Sequence, residues 1–133
     1  MSLSPEERIT MRDLHLERCD MFLHSADTCY ENGDYFTAAN RYYYACFHAV
    51  HALFVMNEIY ARSHDGMNVQ FSQYFVKTGI FEPRFGSLIA KMEQLRDKAD
   101  YNIFYKITAE SISDKRPIIV EFIACVKQYL KVA

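Results

Sequence analysis

Tryptophan is absent from this 133-residue chain, and glycine and proline are scarce, at four and three. So few turn-formers argue against a β-sandwich, which must reverse direction every few residues. No Cys-x-x-Cys pair occurs. Cys19, Cys29, Cys46 and Cys125 stand apart, which gives no support to a zinc ribbon or a thioredoxin-type dithiol and predicts free thiols packed as small hydrophobes. Positive charge is not in surplus: 15 basic residues face 17 acidic ones, a net charge of −2. A general nucleic-acid coat is excluded, whereas a local basic cleft is compatible with that balance. No apolar run approaches the roughly 20 residues of a membrane helix. Met1 to Arg12 carries Glu6, Glu7, Arg8 and Arg12 in place of an apolar leader. The expectation is a soluble, cytoplasmic protein with no membrane contact.

What is present is apolar and aromatic. Half the residues are hydrophobic, with ten Tyr and ten Phe, enough for one packed core in a single domain over residues 1–133. Ser4-Pro5-Glu6-Glu7 reads as a helix start, with Ser4 as cap, Pro5 in the first turn and Glu7 closing a capping box. Ile9, Leu16, Cys19, Leu23, Ala26 and Tyr30 then mark one face of a long helix. Gly33 suits its left-handed end, and Asp34 can cap the next helix. That second helix, about Tyr35 to Ile59, is apolar on nearly every face, which predicts a central position in a bundle.

A shorter helix is predicted from about Met67 to Lys77, with Phe71, Tyr74 and Phe75 inward and Gly79 at its end. Phe85, Leu88, Ile89, Met92, Leu95 and Ala99 share a register, and residues 103–113 read ambiguously. The last helix, from near Asp114 with Pro117 in its first turn, has a stripe running from Ile118 to Leu130. Met11, Met21, Met56, Met67 and Met92 read as core filler. The fold class is all-α, a four- to five-helix up-and-down bundle.

Polar chemistry concentrates on the second helix. Arg41 and His48 are seven residues apart, about 20° short of two full turns, so they share a face. Asn40, Tyr44 and His51 border the same strip. A guanidinium, imidazoles, a phenol and an amide on a helix built for burial must meet protein partners, water or a ligand, because burying them unpaired is costly. A satisfied polar seam between helices or subunits is one reading, and a binding or catalytic site is the other. His48-x-x-His51 has the i, i+3 spacing of helical metal ligands, but no Glu-x-x-His motif completes a set, so no metal or cofactor is expected. His15 and His24 sit among charges on the first helix and read as solvated.

The run Asn40-Arg41-Tyr42-Tyr43-Tyr44-Ala45-Cys46-Phe47-His48-Ala49, following Gly33-Asp34-Tyr35 and Ala38-Ala39, resembles the signature helix of the HEPN domain family. The resemblance continues through His64-Asp65-Gly66, Phe71, Phe75-Val76-Lys77-Thr78-Gly79 and Arg96-Asp97-Lys98-Ala99-Asp100-Tyr101. It implies a helical bundle that forms a homodimer, often encoded beside a minimal nucleotidyltransferase as a toxin–antitoxin or nucleotide-handling pair. It further implies that Arg41 and His48 match the family's Arg-to-His motif, which in active members is a metal-independent ribonuclease site across the dimer. The residue after Arg41 is Tyr42, where ribonuclease members usually carry a small polar residue.

The chemistry suits these side chains. A histidine titrating near neutrality can exchange protons with a ribose hydroxyl or a leaving oxygen, and an arginine can hold a phosphate bidentately. The expectation is a dimeric module binding a nucleotide or a partner protein, with a metal-independent ribonuclease toxin as the alternative. Arg41 and His48 are the candidate catalytic pair, and Asn40, Tyr44, His51, His64 and Arg96 are candidate nucleotide or RNA contacts. His64 either reaches the mouth of the cleft or caps the following helix. Arg96 either pairs with Asp100 along its helix or faces the cleft as a phosphate contact.

Overall fold

The computed structural model of the chain describes residues 2–61 and 63–132, apart from the side chains of residues 64 and 65. Six helices follow in order among the described residues: α1 Pro5–Glu31, α2 Tyr35–Met56, α3 His64–Phe71, α4 Pro83–Tyr101, α5 Ala109–Ser113 and α6 Arg116–Leu130. A π-helical turn, Ser72–Val76, continues α3, and α5 is a single short turn. Among the described residues there is no strand, and no helix is long and apolar enough to cross a membrane. All four cysteines carry free thiols, with Cys19 and Cys46 buried.

Local chemistry sets the hairpin from which the bundle grows. The Ser4 hydroxyl accepts from the Glu7 N–H at 3.1 Å, and the Glu7 carboxylate accepts from the Ser4 N–H at 2.9 Å. Together they satisfy two donors that every helix start leaves open. At the far end Gly33 adopts φ 78°, a left-handed conformation that any side chain would strain. The chain reverses there, and Asp34 accepts from the Thr37 N–H at 3.2 Å to start α2. The antiparallel pair is tied from end to end, by Tyr30 against Tyr35 near the turn and by Arg8 with Glu58 at the opposite end.

α2 is the central helix. Tyr42, Tyr43, Leu53 and Phe54 are fully or almost fully buried, and so are the small residues Ala38, Ala39, Ala45, Cys46 and Ala49. The small residues let the backbones of neighbouring helices approach, and the large ones fill the interior. α2 stops at Met56, three residues short of the expected Ile59. The Asn57 side chain donates to the Leu53 carbonyl at 2.8 Å, and Glu58 turns into left-handed backbone at φ 56°. On the far side of α2 an aromatic cluster of Phe71, Phe75, Phe81, Phe85 and Phe122 joins the π-helical turn to α4 and α6. Gly86 is buried where a Cβ would lie 3.4 Å from Val76, so the π turn rests closely on α4 at that point.

Several apolar positions read as core lie at the surface. Ile9 is 43% exposed and Met21 52%, and Met11 is exposed as well. α1 is a peripheral helix packed mainly on α2, so only its α2-facing residues Leu16, Cys19 and Ala26 are covered. Tyr74 is likewise exposed, whereas Phe71 and Phe75 of the same short segment are buried. The ambiguous segment is an irregular stretch that carries exposed Ile103 and Phe104 and leads into α5. α6 begins at Arg116, two residues later than expected, with Pro117 in its first turn.

α1 is held to the rest of the bundle by polar ties that the periodicity did not reveal. Asp27 accepts two hydrogen bonds from Arg116, both at 2.7 Å, and a third from the hydroxyl of buried Tyr42. Helices α1, α2 and α6 therefore meet at one carboxylate. Arg116, and secondarily Tyr42, hold that carboxyl below the ordinary aspartate range. Removing the phenol of Tyr42 as Tyr42→Phe is expected to cost about 1–2 kcal/mol, since the lost bond is to an ionised acceptor that keeps its Arg116 partner. Urea unfolding at pH 7 checks this, and the difference is expected to shrink as the pH falls through the lowered titration of Asp27.

Candidate functional site

The seam between α1 and α2 carries the predicted polar strip. Phe22 of α1 is its hub. The His48 ring stacks on Phe22 with centroids 5.5 Å apart and planes within 8°. Tyr44 lies 5.7 Å from the same ring, and the Arg41 guanidinium lies 5.8 Å above its centroid. Three of the predicted residues thus converge on one aromatic side chain, each of them half-buried. Asn40 joins through its carbonyl oxygen, which accepts from Arg41 at 3.0 Å. No carboxylate pairs with Arg41 among the described residues, which leaves its charge available to an anion.

His15 enters from α1, against the expectation of a solvated ring. Its Nδ1 faces the Nδ1 of His48 at 3.0 Å, so one ring donates and the other accepts. Its ring also stacks on that of His51 at 5.5 Å. Phe47 closes the group, edge-on to His48 at 5.2 Å and 4.2 Å from His51. The pairing of His15 with His48 turns their Nδ1 atoms toward each other. Among the described residues no group of three His, Cys, Asp or Glu side chains is arranged to hold a metal ion.

Burial governs the charge of this cluster. His48 is pushed down to about 4 by desolvation first, and then by the neighbouring His15 and Arg18. His15 is lowered by desolvation and by Arg18. Both rings are therefore neutral at pH 7, able to donate on one nitrogen and accept on the other. A recess of about 250 Å³ opens beside them, lined by Met11, Leu14, His15, Arg18 and His48.

Two other predicted contacts fall elsewhere. Arg96 does not pair with Asp100. Its guanidinium donates to the adjacent Asp97 at 2.6 Å and lies 4.4 Å over the ring of buried Tyr43. The side chain is only 12% exposed, because stacking on Tyr43 turns it toward α2 and away from exposed Asp100. Arg96 reaches the strip at Tyr44, by its charge and through the edge contact of Tyr43 with Tyr44 at 5.1 Å. The side chain of His64 lies outside the described residues. Tyr42, which occupies the position after Arg41, points away from the strip to Asp27.

His15, Arg18 and Phe22 are the site residues that sequence reasoning passed over. Their i, i+3, i+7 spacing was the available signal, one residue ahead of the row of buried Leu16 and Cys19 and half-buried Leu23. The depressed titration of His48 has a direct consequence for stability. Its folded value lies below the unfolded 6.5, so its contribution is present above pH 6.5 and is lost as the pH falls toward 4. His48→Phe, which keeps a ring against Phe22, is expected to flatten the decline in urea midpoint between pH 6.5 and 4 relative to the unsubstituted chain.

Known proteins share this pattern. A protein of Methanocaldococcus jannaschii named "Putative toxin" is 37% identical over 65% of this chain and 64% of its own length. A second protein of that organism, with the same designation, is 28% identical over 71% of this chain and 65% of its own. A Thermotoga maritima protein named "UPF0332 protein" is 32% identical over 59% of each chain. The match to these relatives thus spans less than two thirds of their lengths. The family model described as "HEPN domain" matches residues 13–129, a span that runs from α1 to the last turns of α6 and takes in both sides of the Phe22 seam. With the helical bundle in place around that span, the chain belongs to the HEPN domain family.

Proposed function

We propose that this HEPN chain is a toxin-type, single-domain protein that works as a homodimer and binds the phosphate of a nucleotide or RNA at the Arg41–His48 strip. One observation carries the reading: Arg41 is a guanidinium with no carboxylate partner among the described residues, held over Phe22 beside two neutral imidazoles. Cation, aromatic face and neutral hydrogen-bonding rings are what a phosphate joined to a base and ribose requires. The dimer is supported by exposed Met11, Leu14 and Met21 on the outer side of α1, next to the recess. Apolar side chains gathered on one helix face are the kind of surface an interface covers. The relatives' designation as toxins supports an antitoxin partner, for which we propose a minimal nucleotidyltransferase. Four free thiols are in keeping with a reducing cytoplasm.

The second reading, a metal-independent ribonuclease, is favoured by the contact of His15 with His48. Two imidazoles sharing a proton could serve as acid and base at a scissile phosphate, with Arg41 stabilising charge on phosphorus. The low titration of His48 makes it a weak base at pH 7, which is why binding stands first.

In fluorescence anisotropy with a labelled oligoribonucleotide, Arg41→Ala is expected to weaken binding roughly tenfold or more, from the loss of a charge-assisted pair. Equal affinity in the variant rejects the phosphate site. In EDTA-containing buffer, RNA left intact by wild type and by His48→Ala alike rules out the ribonuclease reading. Cleavage that disappears in His48→Ala promotes it.

A further inference from the structure

The recess beside His48 is not lined by Arg41. The guanidinium in its wall is Arg18 of α1, an exposed side chain with no hydrogen bond or ion pair among the described residues. Arg18 lies one helical turn from Phe22 and just under one turn from His15, on the same strip of α1. The groups that act on His48 are its hydrogen-bonded neighbour His15 and the Arg18 guanidinium. Arg41 instead sits over the Phe22 ring and acts on Asp34, toward the other end of the seam. Two guanidiniums with no carboxylate hydrogen bond or ion pair among the described residues therefore lie on the seam, Arg41 over Phe22 and Arg18 in the wall of the recess with His15 and His48.

Resting on the phosphate-binding reading above, we infer that Arg18 is a second phosphate contact and that the ligand carries two neighbouring phosphate groups. Arg41 takes one and Arg18 the other, while His48 presents a hydrogen bond in the recess. Arg41 over Phe22 and Arg18 in the wall of the His48 recess are separate points on the seam, and a diphosphate, or successive phosphodiesters of a single strand, presents oxygens at two points. The charge balance agrees. The chain as a whole is slightly acidic, so two unpaired cations on one seam form a local positive site in a field that otherwise repels anions.

Binding of AMP, ADP and a four-residue oligoriboadenylate to the full chain, by calorimetry at one fixed salt concentration, tests the assignment. Wild type is expected to bind ADP, the tetranucleotide, or both at least tenfold more tightly than AMP. A gain for ADP alone identifies a free nucleotide as the source of the two phosphates, and a gain for the tetranucleotide alone identifies an RNA strand. Arg18→Ala is expected to remove that advantage while leaving AMP binding within about twofold, and Arg18→Lys is expected to retain most of it. Because Arg18 is exposed, neither change threatens the fold. If Arg41→Ala weakens binding and Arg18→Ala does not, the Arg18 assignment fails while the phosphate site stands. If none of the three ligands binds wild type, both fail.

A second readout needs no ligand. By NMR, the titration midpoint of His48 is expected to rise in Arg18→Ala, because a neighbouring positive charge is gone, and to stay in place in Arg41→Ala. The titratable and charged groups that act on that ring are His15 and Arg18, both from α1. An unmoved midpoint in Arg18→Ala overturns the assignment.

Discussion

The packing of α1 along α2 is the constraint on which the rest depends. α2 is too apolar to stand exposed, so it sits at the centre of the bundle and covers its flanks with the other helices. Along the flank facing α1 it nevertheless carries Arg41, Tyr44, His48 and His51. These groups are tolerated because α1 supplies partners at matching heights: Phe22 for the first three and His15 for the last two. The seam is neither a dry core nor a solvated face. It is a half-buried polar strip whose rings are fixed by contact with one another.

That intermediate burial explains the chemistry. Full exposure would leave His48 titrating near 6.5 and solvated, and full burial would seal it from any solute. Here desolvation first, and then the neighbouring His15 and Arg18, keep it uncharged, while a recess of about 250 Å³ leaves it reachable. Neither seam guanidinium, Arg18 or Arg41, makes an ion pair with a carboxylate among the described residues. Elsewhere the same chain pairs its arginines closely, Arg116 with Asp27 and Arg84 with Glu121. Those pairs hold helices together and leave no charge for a ligand. The contrast separates structural arginines from those of the seam.

Much of this was readable in the sequence where the cause is local. Ser4, Gly33, Asp34 and Pro117 act on their own turn of backbone, and each does what its residue type predicts. The alignment of Arg41 with His48 follows from helical repeat alone. Periodicity failed where the cause was tertiary. Ile9, Met11 and Met21 fall on helical spacings, but spacing reports that residues share a face and not what covers it, and α1 has protein mainly on one side. His15 was read as solvated because Asp13, Glu17 and Arg18 surround it in sequence, yet the antiparallel hairpin places it against His48. Tyr42 departs from the usual pattern after the arginine, and only its contact with Asp27 and Arg116 gives it a role, as a strut between helices. Arg96 lies on a helix facing α2, but stacking on Tyr43 outweighed the intrahelical pair expected with Asp100.

The central proposal is that anions bind at the α1–α2 seam. Titrating isotope-labelled protein with inorganic pyrophosphate, and following backbone and histidine side-chain NMR shifts, tests it most directly. Saturable changes confined to residues 14–22 and 41–51 are predicted. Changes centred instead on the cavity of about 250 Å³ lined by Phe81, Phe85, Cys125 and Tyr129, or no saturable change at all, would contradict it.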